Sequence, residues 1–183
     1  MATLPTLRKT QSHGRIGEAA VTAKCWMNGI PAHNTNGLRA NFAGSDLIID
    51  TMDPRKKLLI QVKTGYRPTK GAIYLTQASG ESDLTDDKFK ADFVVFVNIE
   101  KKVGESHQHQ GTLDFEHLIY YVVPADVANP VFRDAVQREY DRPLLKSPER
   151  RKLSNLAVHV EPRVLGKYRD AWQLLRGEPL NDG

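Results

Sequence analysis

Apolar residues recur along this chain with two different spacings, and the two spacings divide it. From Gly14 to about Asn28 the period is helical: Ile16, Ala19, Ala20, Ala23 and Met27 share one face, and Gly29 supplies a stop. Val21 and Cys25 fall on the other side of the same helix, together with Glu18, so this helix is expected to be buried on more than one face. The first thirteen residues read as a loose polar arm. Residues 30–44 read as a strand edge and a loop rich in Asn and Gly. Two short strands follow, Leu47–Ile49 and Leu58–Thr64, joined by a turn built on Pro54. Residues 72–78 form a third strand. Residues 92–100 and 117–124, rich in Val, Phe, Ile and Tyr, form two buried strands around a polar loop.

The last sixty residues read as helices. Ser147 stands as an N-cap with Pro148 at the first helical position. Leu165, Tyr168, Trp172 and Leu175 form an apolar stripe that Gly177 ends. The order helix, strands, helices predicts a single α/β or α+β domain with a mostly covered central sheet.

Composition adds bounds. The chain of 183 residues is long enough for one domain with a real core. A formal charge of +4 mildly favours a polyanionic partner, and the basic residues cluster: Arg55, Lys56, Lys57, Lys63, Arg67 and Lys70 in one stretch, Lys146, Arg150, Arg151 and Lys152 in another. With Cys25 as the only cysteine, no internal disulfide can form, which suits a reducing compartment. No apolar run is long enough for a membrane span, and the first residues lack the apolar core of a secretory signal. The expectation is a cytoplasmic protein.

The candidate chemistry lies within the two short strands. Side chains alternate faces along a strand. Asp46, Ile48 and Asp50 therefore share one face, and Leu59, Gln61 and Lys63 share one on the next strand. Paired as a hairpin, the strands set Asp46 beside Gln61 and Lys63. A buried carboxylate and ammonium are costly unless paired, hydrated or holding an ion. Strands of Leu, Ile and Val had no need of them for packing, so they mark a site.

The ordered set "GRIGE" on a first helix, "SDLIID" on a strand and "IQVKTG" on its neighbour resembles the PD-(D/E)xK nuclease superfamily, the restriction-endonuclease-like fold. The Gln-containing form is similar to that of some group I intron-encoded homing endonucleases. The motifs cover residues 14–65, and the strand pattern extends the likeness to about residue 124. The resemblance implies a central mixed sheet of about five strands flanked by helices: a polar arm over 1–13, a nuclease core over 14–124 and a helical C-terminal extension over 125–183. It implies a Mg²⁺-dependent DNA endonuclease, with Mn²⁺ as a substitute. Asp46, Gln61, the Val62 backbone carbonyl and Glu18 would be metal ligands, and Lys63 would orient water or stabilise phosphate charge. Apart from the resemblance, Arg67 and Lys70, just past the second strand, read either as nucleic-acid phosphate contacts or equally as a solvated turn. By analogy the protein would be a homodimer or higher oligomer. Two departures stand out. Gln61 replaces the commoner Glu or Asp and brings no charge, and Ser45 replaces the nominal Pro. The alternative is a degenerate nuclease-fold protein that binds nucleic acid or protein without cutting.

Plainer readings stand beside these. Asp50 reads as a strand-end cap. His107, His109 and His117 read as solvated loop residues. Cys25, inside a helix, reads as a buried inert thiol. Gln77 is a weak site candidate. Tyr168 and Trp172 read as core, and the run at Arg150 as a solvated face.

Overall fold

A computed structural model describes residues 9–35, 44–51, 53, 55–66, 71–100, 118–144, 147–150, 153 and 156–180. A helix, α1 (Lys9–Met27), leads into strands β1 (Ala32–Asn34), β2 (Leu47–Asp50), β3 (Lys57–Tyr66), β4 (Ile73–Gln77), β5 (Phe93–Ile99) and β6 (Leu118–Pro124). Then come helix α2 (Ala125–Asp141), strands β7 (Pro143–Leu144), β8 (Ser147–Arg150) and β9 (Ala157–Val160), and the short helix α3 (Pro162–Leu165). Two 3₁₀ turns, Gly166–Tyr168 and Trp172–Arg176, follow.

Five strands form the central mixed sheet, in the order β1-β2-β3-β5-β6. Only the β3–β5 pair is parallel; the others are antiparallel. Strands β5 and β6 are apolar at nearly every position because both of their faces are covered. Val94, Phe96, Ile119, Tyr121 and Val123 face α2 and a core that includes Phe132, Leu165 and Tyr168. Val95, Val97, Tyr120 and Val122 face the other core, with Val21 and Cys25 of α1 and with Trp172 and Leu175. The period-2 alternation thus sorts the sheet's side chains into two cores.

The structure redraws several elements. Helix α1 starts at Lys9, inside the stretch that the sequence suggested as a polar arm; residues 1–8 lie outside the described residues. Its buried stripe is Gly17, Ala20, Val21 and Cys25, whereas Ala19, Ala23 and Met27 are exposed, Met27 to 77 %. The inward face is the one with the glycine. A Cβ on Gly17 would lie 1.8 Å from Thr64 Oγ1, so only a residue without a side chain lets α1 come this close to β3. Strand β4 is a strand as read, but it pairs with β9 in a separate two-stranded sheet. Its Tyr74 ring lies on Gly65 of β3, where a Cβ would come within 2.2 Å. Buried Asn98 of β5 ties the two sheets, accepting from Tyr74 N at 2.7 Å and donating to Tyr74 O at 2.9 Å. The C-terminal third is helical only in part. Ser147 opens strand β8 rather than capping a helix, because pairing with β7 outweighs the local capping signal. Leu165, Tyr168, Trp172 and Leu175 are buried as read, yet they lie on short helical pieces that divide between the two cores.

Candidate active site

The site lies where β3 outruns β2. The β2–β3 register ends at Leu47 opposite Ile60, one residue after Asp46. Asp46 N still donates to Ile60 O at 2.8 Å, which keeps Asp46 against the edge of β3 where the ladder ends. On its outer side the Asp46 carbonyl accepts from Thr35 N at 3.0 Å, and the buried Thr35 hydroxyl lies 3.0 Å from the same oxygen. The backbone of Asp46 is therefore held from both sides. Its side chain folds toward β3, where Oδ2 accepts from Val62 N at 2.7 Å. N–H and C=O of one strand residue point to the same edge. The Val62 carbonyl thus faces the edge that β2 has just vacated.

Alternation places Ile60 and Val62 in the α1-side core. Gln61 and Lys63 emerge on the opposite face, beside their register partners Val94 and Phe96. Gln61 Oε1 is buried and has no hydrogen-bond partner among the described residues. A buried amide oxygen left unmade costs about 1–3 kcal/mol, so a native protein keeps one only where something else fills the position.

Glu18 arrives from α1, one residue after the Gly17–Thr64 contact. Asn34 Nδ2 of β1 donates to its Oε2 at 3.3 Å. Glu18, Asp46 and Lys63 sense one another electrostatically. Burial raises the Asp46 pKa, the Val62 N–H opposes the rise, the Glu18 carboxylate adds to it and Lys63 opposes it. Burial lowers the Lys63 pKa, against the pull of Asp46 and Glu18, with the Lys88 ammonium adding to the fall. Burial thus raises the proton affinity of Asp46 and lowers that of Lys63, drawing the two toward each other.

Asp46 reaches Val62 N on β3, Gln61 and Lys63 share one face of that strand, and Glu18, Asp46 and Lys63 lie within electrostatic reach of one another. Arg67, Lys70, His107, His109 and His117 lie outside the described residues, as do the side chains of Lys146, Arg150, Arg151 and Lys152. Asp50 sits at the far end of β2, ion-paired to Lys57 and to His33, the latter at 3.1 Å. Gln77 is exposed on the separate sheet. Cys25 is buried, and its thiol is pushed up to about 12 by burial. Sequence reasoning missed Lys88. Its ammonium is held by Asp83 at 3.1 Å and by Ser79, lies 5.7 Å from the centre of the Phe132 ring, and acts on Lys63. Nothing in the polar run around Asp83–Lys88 separates that pair from a solvated loop.

No group of three His, Cys, Asp or Glu gathers among the described residues. The available donors are two carboxylates, an amide oxygen and a main-chain oxygen. These are hard oxygen donors, the kind Mg²⁺ and Mn²⁺ accept, and a set too poor in nitrogen and sulfur for zinc. The orphaned Gln61 oxygen fits such an ion.

No family model matches the chain, and no curated protein sequence matches it. Among solved structures the fold is similar to that of a bacterial homing endonuclease, I-Ssp6803I, with a TM-score of 0.53 and 17 % identity over 93 % of this chain and 95 % of that one. At that identity the likeness is one of fold: a nuclease-like α/β architecture with a central mixed sheet, shared over nearly the full length of both chains.

Proposed function

We propose that the protein is a divalent-metal-dependent DNA endonuclease of the PD-(D/E)xK type. The observation that carries this reading is the buried Gln61 Oε1, without a partner among the described residues, on the strand that presents Lys63 and whose Val62 N holds the Asp46 carboxylate. Asp46, Glu18, Gln61 Oε1 and the Val62 carbonyl would hold Mg²⁺ or Mn²⁺. The ion would supply Lewis-acid polarisation of the scissile phosphate and a more acidic water. Lys63, with its lowered proton affinity, donates hydrogen bonds to a water or a phosphate oxygen and exchanges its proton more readily than a solvated lysine. Asp46 keeps its position without the ion because Val62 N and its own pinned backbone hold it. The likeness to a homing endonuclease supports DNA as the substrate.

The neutral Gln61 favours one competing reading, a nucleic-acid-binding protein on the same fold that does not cut. Supercoiled plasmid and branched DNA incubated with wild type, Asp46→Ala and Lys63→Ala, in Mg²⁺, Mn²⁺ or chelator, separate the two. The endonuclease reading requires metal-dependent nicking by wild type alone, from variants that remain folded by circular dichroism. Nicking by all three proteins would remove the site assignment. DNA binding without nicking by any of them would establish the competing reading.

A further inference from the structure

Residues 86–92 run beside the candidate site and enter β5. Their anchor is Phe89, buried and packed edge-on against Phe96 and Phe132, with ring centres 5.6 and 5.5 Å away. The side chain of buried Asn129 on α2 clamps its backbone: Phe89 N donates to Asn129 Oδ1 at 2.8 Å, and Asn129 Nδ2 donates to Phe89 O at 3.0 Å. The lysines on either side of this anchor have different fates. Lys88 is taken up by Asp83 and Ser79. Lys90 is exposed, and its Cβ lies 3.8 Å from where a Cβ on Gly44 would be, two residues before Asp46. The nearby acids are engaged elsewhere. Asp87 pairs with Arg133 at 3.0 Å, Asp92 accepts from Leu59 N at 2.7 Å, and Asp83 holds Lys88. Lys90 has no ion-pair partner among the described residues. A rigid backbone thus holds an exposed lysine, without an ion-pair partner among the described residues, against the segment that leads into Asp46.

We propose that Lys90 is a DNA-contacting residue that binds a backbone phosphate of the duplex lying over Asp46 and Lys63. This inference rests on the endonuclease reading and adds a contact that the motif itself does not contain. An ammonium that neutralises one phosphate releases about 0.9 counterion from duplex DNA. The test is fluorescence anisotropy of a labelled duplex, in chelator so that nothing is cut, across a salt series. It compares wild type, Lys90→Ala, Lys90→Arg and Lys56→Ala, the last an exposed lysine at the turn that joins the opposite ends of β2 and β3. The slope of log affinity against log salt should fall by about 0.9 in Lys90→Ala. Over a fourfold rise in salt that variant then loses about 3.5-fold less affinity than wild type. Lys90→Arg and Lys56→Ala should keep the wild-type slope. If Lys90→Ala matches wild type in slope and affinity while wild type binds and cuts DNA, the contact is wrong and the endonuclease reading survives. If wild type binds no duplex, both fall together.

Discussion

Gly17→Ala tests the packing that delivers Glu18. The new Cβ would lie 1.8 Å from Thr64 Oγ1, 2.9 Å from Thr64 Cβ and 3.2 Å from Cγ2. The hydroxyl can swing away without cost in hydrogen bonds, because it has no partner among the described residues. The Thr64 Cβ cannot, since it is fixed to the strand. Restoring even the tightest ordinary carbon contact therefore moves α1 away from β3 by about 0.5 Å, and by more if the hydroxyl stays in place. Overpacking of this kind costs about 1–3 kcal/mol. Alanine returns about 0.8–1 kcal/mol of helix propensity. The net expectation is a loss of roughly 1 kcal/mol, or about 2–4 °C of melting temperature for a chain of this size. Thr64→Gly removes the Cβ, Cγ2 and hydroxyl that Gly17→Ala would meet, and alone costs at least about 0.5–1 kcal/mol as a glycine in a strand. In that background the Gly17→Ala penalty should shrink by at least about 0.5 kcal/mol. Urea unfolding of the four proteins gives the cycle, and calorimetric Mg²⁺ titration of the same four reads whether Glu18 has moved. A Gly17→Ala protein that melts above wild type, with no coupling to Thr64, would refute the contact.

Gln61→Glu adds a charge to the donor set and should keep or tighten divalent-ion binding; much weaker Mg²⁺ binding by calorimetry would contradict the ligand assignment. Asp46 has a raised folded pKa, so the folded protein binds a proton more readily than the unfolded chain, and stability falls as pH rises from about 3.8 through the raised value. In chelator, Asp46→Asn should therefore melt higher than wild type at pH 7, with the gap closing as pH drops toward 3.8; a gap independent of pH would show that the carboxylate is not the source. Asn98→Leu strands both main-chain groups of Tyr74 and should cost about 2–4 kcal/mol in denaturant unfolding. A loss under about 0.5 kcal/mol would mean that water replaces the amide.

The hairpin was legible in the sequence because strand alternation fixes faces. An Asp, a Gln and a Lys at those positions have no packing reason to be there. The strands β5 and β6 were legible because two buried faces leave a near-continuous apolar run. The inward face of α1 was not, because its closest contact is made by a glycine, and no hydrophobic count registers Gly17. Trp26, 54 % exposed, and Met27 weigh heavily in any such count yet stay outside. The partnership of β4 with β9 was hidden by the length of chain between them. The capping signal at Ser147 was real chemistry overridden by pairing. Lys88 and Lys90 looked like any charged loop until Asn129, from a distant helix, fixed the backbone between them.

The path of the last turns bears on how the protein is made. Between Leu165 in one core and Trp172 in the other, the chain crosses β6, the outermost strand of the sheet on that side. There Arg169 bridges to Tyr121, and Asp170 N donates to Tyr120 O at 3.0 Å. Residues 165–175 therefore act as a latch over an apolar strand edge that would otherwise be open to pairing with another chain. On the ribosome β6 is complete some forty residues before that latch emerges. During that interval the nascent protein lacks the latch on its Val- and Tyr-rich edge, which exposes elongation through the C-terminal third to aggregation and to chaperone capture.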